Sequence, residues 1–245
     1  MSAPIFDQSL HRLRRQRSAR TGGDRFLQER AFGECLDRLA DIRTPIAAAL
    51  IVGEPGDGWI AALSDVLPGA TVKAANAEDL PRLEPGAFDL CLSIGELETS
   101  NDLTIAAFTL RHLLSPGGLL LGAIVGGNSL PRLRAAMLAA DRLRGAAAPR
   151  IHPTVDGPSL AALLTAVGLT EPVIDIDRID VAYASLDRLV NGLRAMGCTN
   201  ILSDRSRRPL DRRQRAVARD AFLGGADHAT EQFELLHFTA WAPQS

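Results

Sequence analysis

Short apolar runs alternate along this chain with stretches whose hydrophobic residues recur every three or four positions, the signature of strands and helices in turn. Ala47 to Val52, Phe88 to Ile94 and Leu119 to Val125 are almost wholly apolar. Such runs predict strands covered on both faces, as in a parallel sheet. Ala70 to Ala75 predicts a weaker strand. Helical spacing predicts helices from Phe26 to Ala40, Trp59 to Leu67 and Leu103 to Leu114. Further helices are predicted over Leu130 to Arg144, capped by Asn128 or Ser129, and over Leu160 to Val167, Leu186 to Met196 and Asp211 to Phe222. Pro68-Gly69, Pro85-Gly86 and Ser115-Pro116-Gly117-Gly118 punctuate them. Between Val173 and Tyr183, Asp175, Asp177 and Asp180 interleave with Ile174, Ile176, Ile179 and Val181, which predicts a half-buried strand. Phe233 to Trp241 predicts a last strand, and two late strands separated by helices suit an antiparallel edge. Strand and helix in alternation imply an α/β fold with a mostly parallel sheet. No repeat or low-complexity linker interrupts it. One domain, 1–245, is expected: a basic arm and helix over 1–45, a nucleotide-binding-type core over 46–127, and a helical segment with edge strands over 128–245.

The composition adds limits. With 245 residues, 46% apolar and 23% charged, the chain can bury a substantial core, and no run of about 18 apolar residues offers a membrane span. A net charge of −2 announces no nucleic-acid partner. Of 27 basic residues only Lys73 is a lysine, and arginines cluster at Arg12, Arg14, Arg15, Arg17 and Arg20 and again from Arg205 to Arg219. Arginine favours planar, bidentate contact with carboxylates or phosphates, so these stretches are either solvated helix faces or docking surfaces. Cys35, Cys91 and Cys198 are odd in number and far apart, which fits a reducing, cytoplasmic setting.

The strongest chemical signal is the turn Gly53-Glu54-Pro55-Gly56-Asp57-Gly58 between a buried strand and a helix. Glycines let backbone amides approach a ligand, and a helix N-terminus carries partial positive charge. No Lys-Ser/Thr pair follows Gly58, so it is no Walker loop. Glu96 and Glu98 follow a predicted strand end, where ligands meet open α/β sheets. The five histidines are scattered, with no pair at i, i+4 to hold a metal. No Gly-x-Ser-x-Gly elbow anchors a hydrolase triad.

The order of motifs resembles a class I S-adenosylmethionine-dependent methyltransferase and, more narrowly, the methyltransferase-type respiratory complex I assembly factors known for arginine hydroxylation. Phe6-Asp7-Gln8-Ser9-Leu10-His11-Arg12, Glu78-Asp79-Leu80-Pro81, Phe88-Asp89-Leu90 and Asn101-Asp102-Leu103 carry it in the first half. Gly126-Gly127-Asn128-Ser129-Leu130, Leu193-Arg194-Ala195-Met196-Gly197-Cys198-Thr199-Asn200 and Trp241-Ala242-Pro243 carry it in the second. The resemblance implies a Rossmann-like sheet and S-adenosylmethionine as cofactor. Gly53, Glu54, Gly56 and Gly58 would face its methionine end, Asn76 and Ala77 the adenine, and Ser93 the floor. It also implies a protein partner, a respiratory complex subunit; transient contact with a membrane surface stays open. No general base or nucleophile is assigned. Because the resemblance begins at Ile5, the arginine-rich start reads as folded domain rather than as a leader peptide.

The departures point to a weakened pocket. Ile51 stands where an aspartate is usual, Asn76 replaces an adenine-binding aspartate, and Glu98-Thr99 replace His-Trp. Gly58 to Asn76 holds one helix and one strand where the family places two of each. A strand–helix unit is therefore expected to be missing, together with the carboxylate that grips the ribose. Two other readings remain: a catalytically inactive assembly or interaction protein on the same fold, and a small-molecule carboxyl methyltransferase.

Overall fold

The apolar runs become the middle of a sheet. The structure, a computed structural model describing residues 3–20 and 23–244, orders its elements as α1 (Gln8–Arg20), α2 (Phe26–Asp41), β1 (Ala48–Val52), α3 (Trp59–Val66), β2 (Thr71–Ala75), β3 (Phe88–Ile94) and α4 (Leu103–Leu113). There follow β4 (Leu114–Val125), α5 (Pro131–Arg142), α6 (Gly157–Ala166), β5 (Thr170–Tyr183), α7 (Leu186–Ala195), α8 (Arg212–Leu223) and β6 (Ala229–Trp241). The sheet order is β2-β1-β3-β4-β6-β5. β1 is parallel to β2 and to β3, β3 is parallel to β4, and β6 runs antiparallel to β4. Six strands in an α/β arrangement, mostly parallel with an antiparallel edge, agree with the expected class and with a sheet short of one strand–helix unit. β2 bonds directly to β1, from Ala48 opposite Thr71 to Val52 opposite Ala75. From β2 to β3 the chain makes a 3-10 turn at Leu80–Arg82 and no α-helix.

The chain divides into two compact units. The first comprises Phe26–Gly126, Val155–Asp177 and the chain from Leu235 onward. Its core stacks Leu50, Cys91 and Leu120 of the central strands with Leu110 and Leu113 of α4, Leu160 and Leu164 of α6, and Phe238 of β6. On the other side of the sheet, Phe32 of α2 stacks face to face on Trp59 of α3, with ring centroids 4.3 Å apart. Asp89 fastens the strand starts. Its carboxylate accepts from the Ala47 and Ala48 amides at 2.8 and 3.1 Å and from the Ser115 hydroxyl at 2.8 Å. Burial raises its pKa, but these donors outweigh burial and hold the carboxyl below its ordinary value.

The second unit comprises the chain up to Arg25, Gly127–Thr154 and Arg178–Glu234. The basic stretch expected as an arm is helical here, as α1, and holds its unit together: Arg14 donates to the Asn200 carbonyl and Ser18 to the Ala195 carbonyl. A small cluster of Phe6, Ile201 and Leu202, with Leu10, buries its apolar face. His152 accepts the Ile201 amide at Nε2 (3.0 Å) and meets Phe6 edge-on.

Three boundaries differ from expectation for physical reasons. Ser115-Pro116-Gly117-Gly118 does not end in coil. It lies within β4, where a register shift between Phe88 and Leu90 absorbs it. Neither Asn128 nor Ser129 caps α5. Leu130 precedes it with φ 59°, and the buried Glu231 carboxylate accepts from the Arg132 and Leu133 amides at 3.2 and 2.8 Å, doing from β6 what a cap does locally. α6 begins at Gly157, three residues early, because Asp156 caps it through the Ser159 amide. Among the described residues no helix is long and apolar enough to cross a membrane.

Two predictions follow from this packing. A Cβ at Gly122, in the middle of β4, would overlap the Ser93 carbonyl and the Phe238 ring. Gly122→Ala should therefore destabilise the protein by about 1–3 kcal/mol, the usual cost of overpacking, read as a lowered denaturant midpoint; an unchanged midpoint would count against this packing. His11 and His152 have pKa values lowered to about 4, first by burial and then by neighbouring arginines, Arg15 and Arg14 respectively. A lowered histidine pKa contributes stability that is complete above about 6.5 and lost as pH falls toward 4. Melting temperature should fall across that window, and less steeply in His152→Gln than in the parent.

Candidate functional site at the glycine turn

At the carboxyl ends of β1, β2 and β3 the sheet draws together most of the residues singled out above. Gly53 leaves β1 with φ +91° and its amide bonds the Ala75 carbonyl at 2.8 Å, so Asn76 follows immediately beside it. Ser93 lies opposite Val52 in the β1–β3 register. Gly58 enters α3 with φ +77°, and no side chain caps that helix. Such positive angles favour glycine. Gly53, Gly56 and Ser93 are buried, whereas Glu54, Gly58, Asn76 and Ala77 are exposed. The Ser93 hydroxyl makes no hydrogen bond among the described residues.

The room over the turn is filled by the protein itself. A Cβ at Gly53 would overlap the Glu96 carboxylate, which lies against the glycine from the β3–α4 connection. A Cβ at Gly56 would overlap the Trp59 indole and the Glu29 carboxylate. Trp59 Nε1 donates to Glu29 at 2.9 Å, so α2 supplies an acid to the turn from thirty positions upstream. Nearby, Glu98 accepts the Val125 amide at 3.4 Å. Sequence reasoning had marked Glu96 and Glu98 by their place after a strand. It missed Glu29, because nothing local in the sequence links a helix-surface glutamate to a distant glycine turn.

The turn could take the methionine end of an adenosylmethionine cofactor only with the Glu96 side chain moved off Gly53. Two of the three glycine spaces hold protein carboxylates or an indole. On the neighbouring strand, the residues at the end of β2 are Ala74, Ala75, Asn76 and Ala77. None can supply the charge-assisted, two-oxygen contact that a carboxylate gives a ribose diol.

A second acidic pair was also missed. Glu231 and Glu234, 0% and 2% exposed, sit three apart in β6. Glu234 accepts from the Asn128 side-chain amide at 3.2 and 3.0 Å and from Arg178 at 3.2 Å. Burial raises its pKa, and these partners more than offset burial and lower it. One carboxylate, Glu234, inside the strand expected from Phe233 to Trp241 is the local sequence signal for this network.

No family model matches the chain. It is similar to the mitochondrial arginine-hydroxylase NDUFAF5 of Mus musculus, 27% identical over 97% of this chain and 77% of the relative. The human counterpart is 30% identical over 80% of the chain, an alignment that spans 64% of that relative. A malonyl-[acyl-carrier protein] O-methyltransferase of Xylella fastidiosa is 32% identical over 69% of the chain and 57% of its own length. In fold, a Bacillus halodurans protein assigned provisionally to the methyltransferases superposes with TM-score 0.52 at 12% identity, covering 86% of this chain and 98% of that one. The phosphoethanolamine N-methyltransferase 2 of Haemonchus contortus superposes with TM-score 0.50 at 12% identity, over 87% of this chain and 52% of that one.

The chain shares the fold of solved methyltransferases, and its sequence is similar to proteins named arginine-hydroxylase and malonyl-[acyl-carrier protein] O-methyltransferase. The similarity to the NDUFAF5 arginine-hydroxylases extends over almost the whole chain.

Proposed function

We propose that this protein acts on a protein partner in the assembly of a respiratory complex and binds S-adenosylmethionine weakly. The partner class rests on the near full-length similarity to the NDUFAF5 relatives and on the Leu193 to Asn200 and Trp241 to Pro243 segments. The single observation that carries the weak binding is the Glu96 carboxylate seated on Gly53. A ligand entering here must first displace that side chain, and the end of β2 offers no carboxylate to its ribose. Gly53, Glu54, Gly56 and Gly58 would lie along the methionine end, Asn76 and Ala77 along the adenosine, and Ser93 beneath. When bound, the cofactor would supply an activated methyl group; this chain's residues would position it, since methyl transfer depends chiefly on aligning donor and acceptor.

A small-molecule carboxyl methyltransferase is the second reading, favoured by 32% identity to the Xylella fastidiosa enzyme. It requires productive cofactor binding, so the same experiment separates the two.

Calorimetry of the full chain with S-adenosylmethionine should give a dissociation constant weaker than about 100 μM. Glu96→Ala should tighten it about tenfold by vacating the space over Gly53. A micromolar constant in the parent would overturn the weak-binding reading. Weaker binding in the variant would show that Glu96 holds the cofactor rather than opposing it.

A further inference from the structure

A second concavity lies wholly within the unit that contains α5, α7 and α8. Its volume is about 730 Å³. One wall is apolar: Pro131, Ala135 and Leu138 fall at i, i+4 and i+7 on the outward face of α5, and Leu138 is 46% exposed. Arg134, three residues after Pro131, lies on that same face of α5, and Asn128, Gln232 and Arg178 complete the lining.

The hydrogen bonds behind that lining decide what it can take. Both donors of the Asn128 side chain are directed to the buried Glu234 carboxylate, and the Ser129 hydroxyl is engaged with the Glu234 backbone. Glu234 also pairs with Arg178 Nε at 3.2 Å, neutralising one guanidinium. Arg134 has no side-chain hydrogen bond or ion pair among the described residues. Arg134 therefore brings a positive charge to the helix face that carries Pro131, Ala135 and Leu138, and Arg178 lines the same concavity. A phosphate dianion would exceed that charge and leave Leu138 and Ala135 in water. An amine would be repelled by the Arg134 guanidinium.

We propose that this pocket binds a small aliphatic monocarboxylate. Its carboxylate lies between Arg134 and Arg178 in charge-assisted hydrogen bonds, and its chain lies along Pro131, Ala135 and Leu138. The site is separate from the glycine turn and does not depend on cofactor binding.

The test is calorimetric titration of the full chain with hexanoate, with hexylamine and inorganic phosphate as controls. Hexanoate should bind in the millimolar range or tighter and the controls should not. Arg134→Ala should weaken hexanoate about tenfold, and Leu138→Glu should abolish it by setting a carboxylate in the apolar wall. Both side chains are exposed, so melting temperatures should match the parent's and show that each variant is folded. No hexanoate binding by about 10 mM, equal binding of hexylamine or phosphate, or folded variants that bind hexanoate as the parent does would each overturn the proposal.

Discussion

The pairing of β1 with β2 governs what the carboxyl end of this sheet can do. Five residues of β1 are paired with β2 on one side and four of them with β3 on the other, and the β1–β2 pairing is continued by the 2.8 Å bond from the Gly53 amide to the Ala75 carbonyl. That bond sets the asparagine corner directly against the glycine turn. A longer chain between Gly58 and Asn76 could have carried another strand–helix unit. Without it, the strand that ends beside the turn has no carboxylate at its tip, and acids from elsewhere in the chain occupy the glycine spaces instead.

Carboxylates placed by tertiary contact, rather than by neighbours in sequence, recur through the molecule. Asp89 fastens the start of β1 to the irregular start of β4. Glu231 supplies from β6 the acceptor that α5 lacks at its own N-terminus. Glu234 gathers Asn128, Ser129 and Arg178. Each sits where backbone or side-chain donors would otherwise lack an acceptor, and loss of such an acceptor costs about 1–3 kcal/mol for a buried group. Glu96 and Glu29 differ from these, since they lie over glycines where ligand atoms would otherwise sit.

Much of this architecture was legible beforehand. The run from Phe88 to Ile94 became β3 to the residue, and the helix expected over Asp211 to Phe222 forms one residue later, as Arg212–Leu223 with Asp211 as its cap. The shortage of chain after Gly58 correctly implied six strands. What stayed hidden depends on long-range contact. The arginine-rich start has almost no apolar periodicity, yet it is helical because Arg14 and Ser18 find backbone carbonyls more than 170 positions away. The roles of Glu231 and Glu234 depend on partners far away in sequence, the α5 amides and Asn128. At the turn, the glycines themselves were evident; that Glu96 and Glu29 fill the space above them could come only from the folded chain.

The most direct trial is a crystal structure of the ligand-free protein, read at the carboxyl end of β1. The Glu96 carboxylate is expected against Gly53, and Trp59 bonded to Glu29, so that the space over the glycines is filled before any cofactor arrives. An open turn, with Glu96 and Glu29 directed away from the glycines, would contradict the account and leave an ordinary cofactor site.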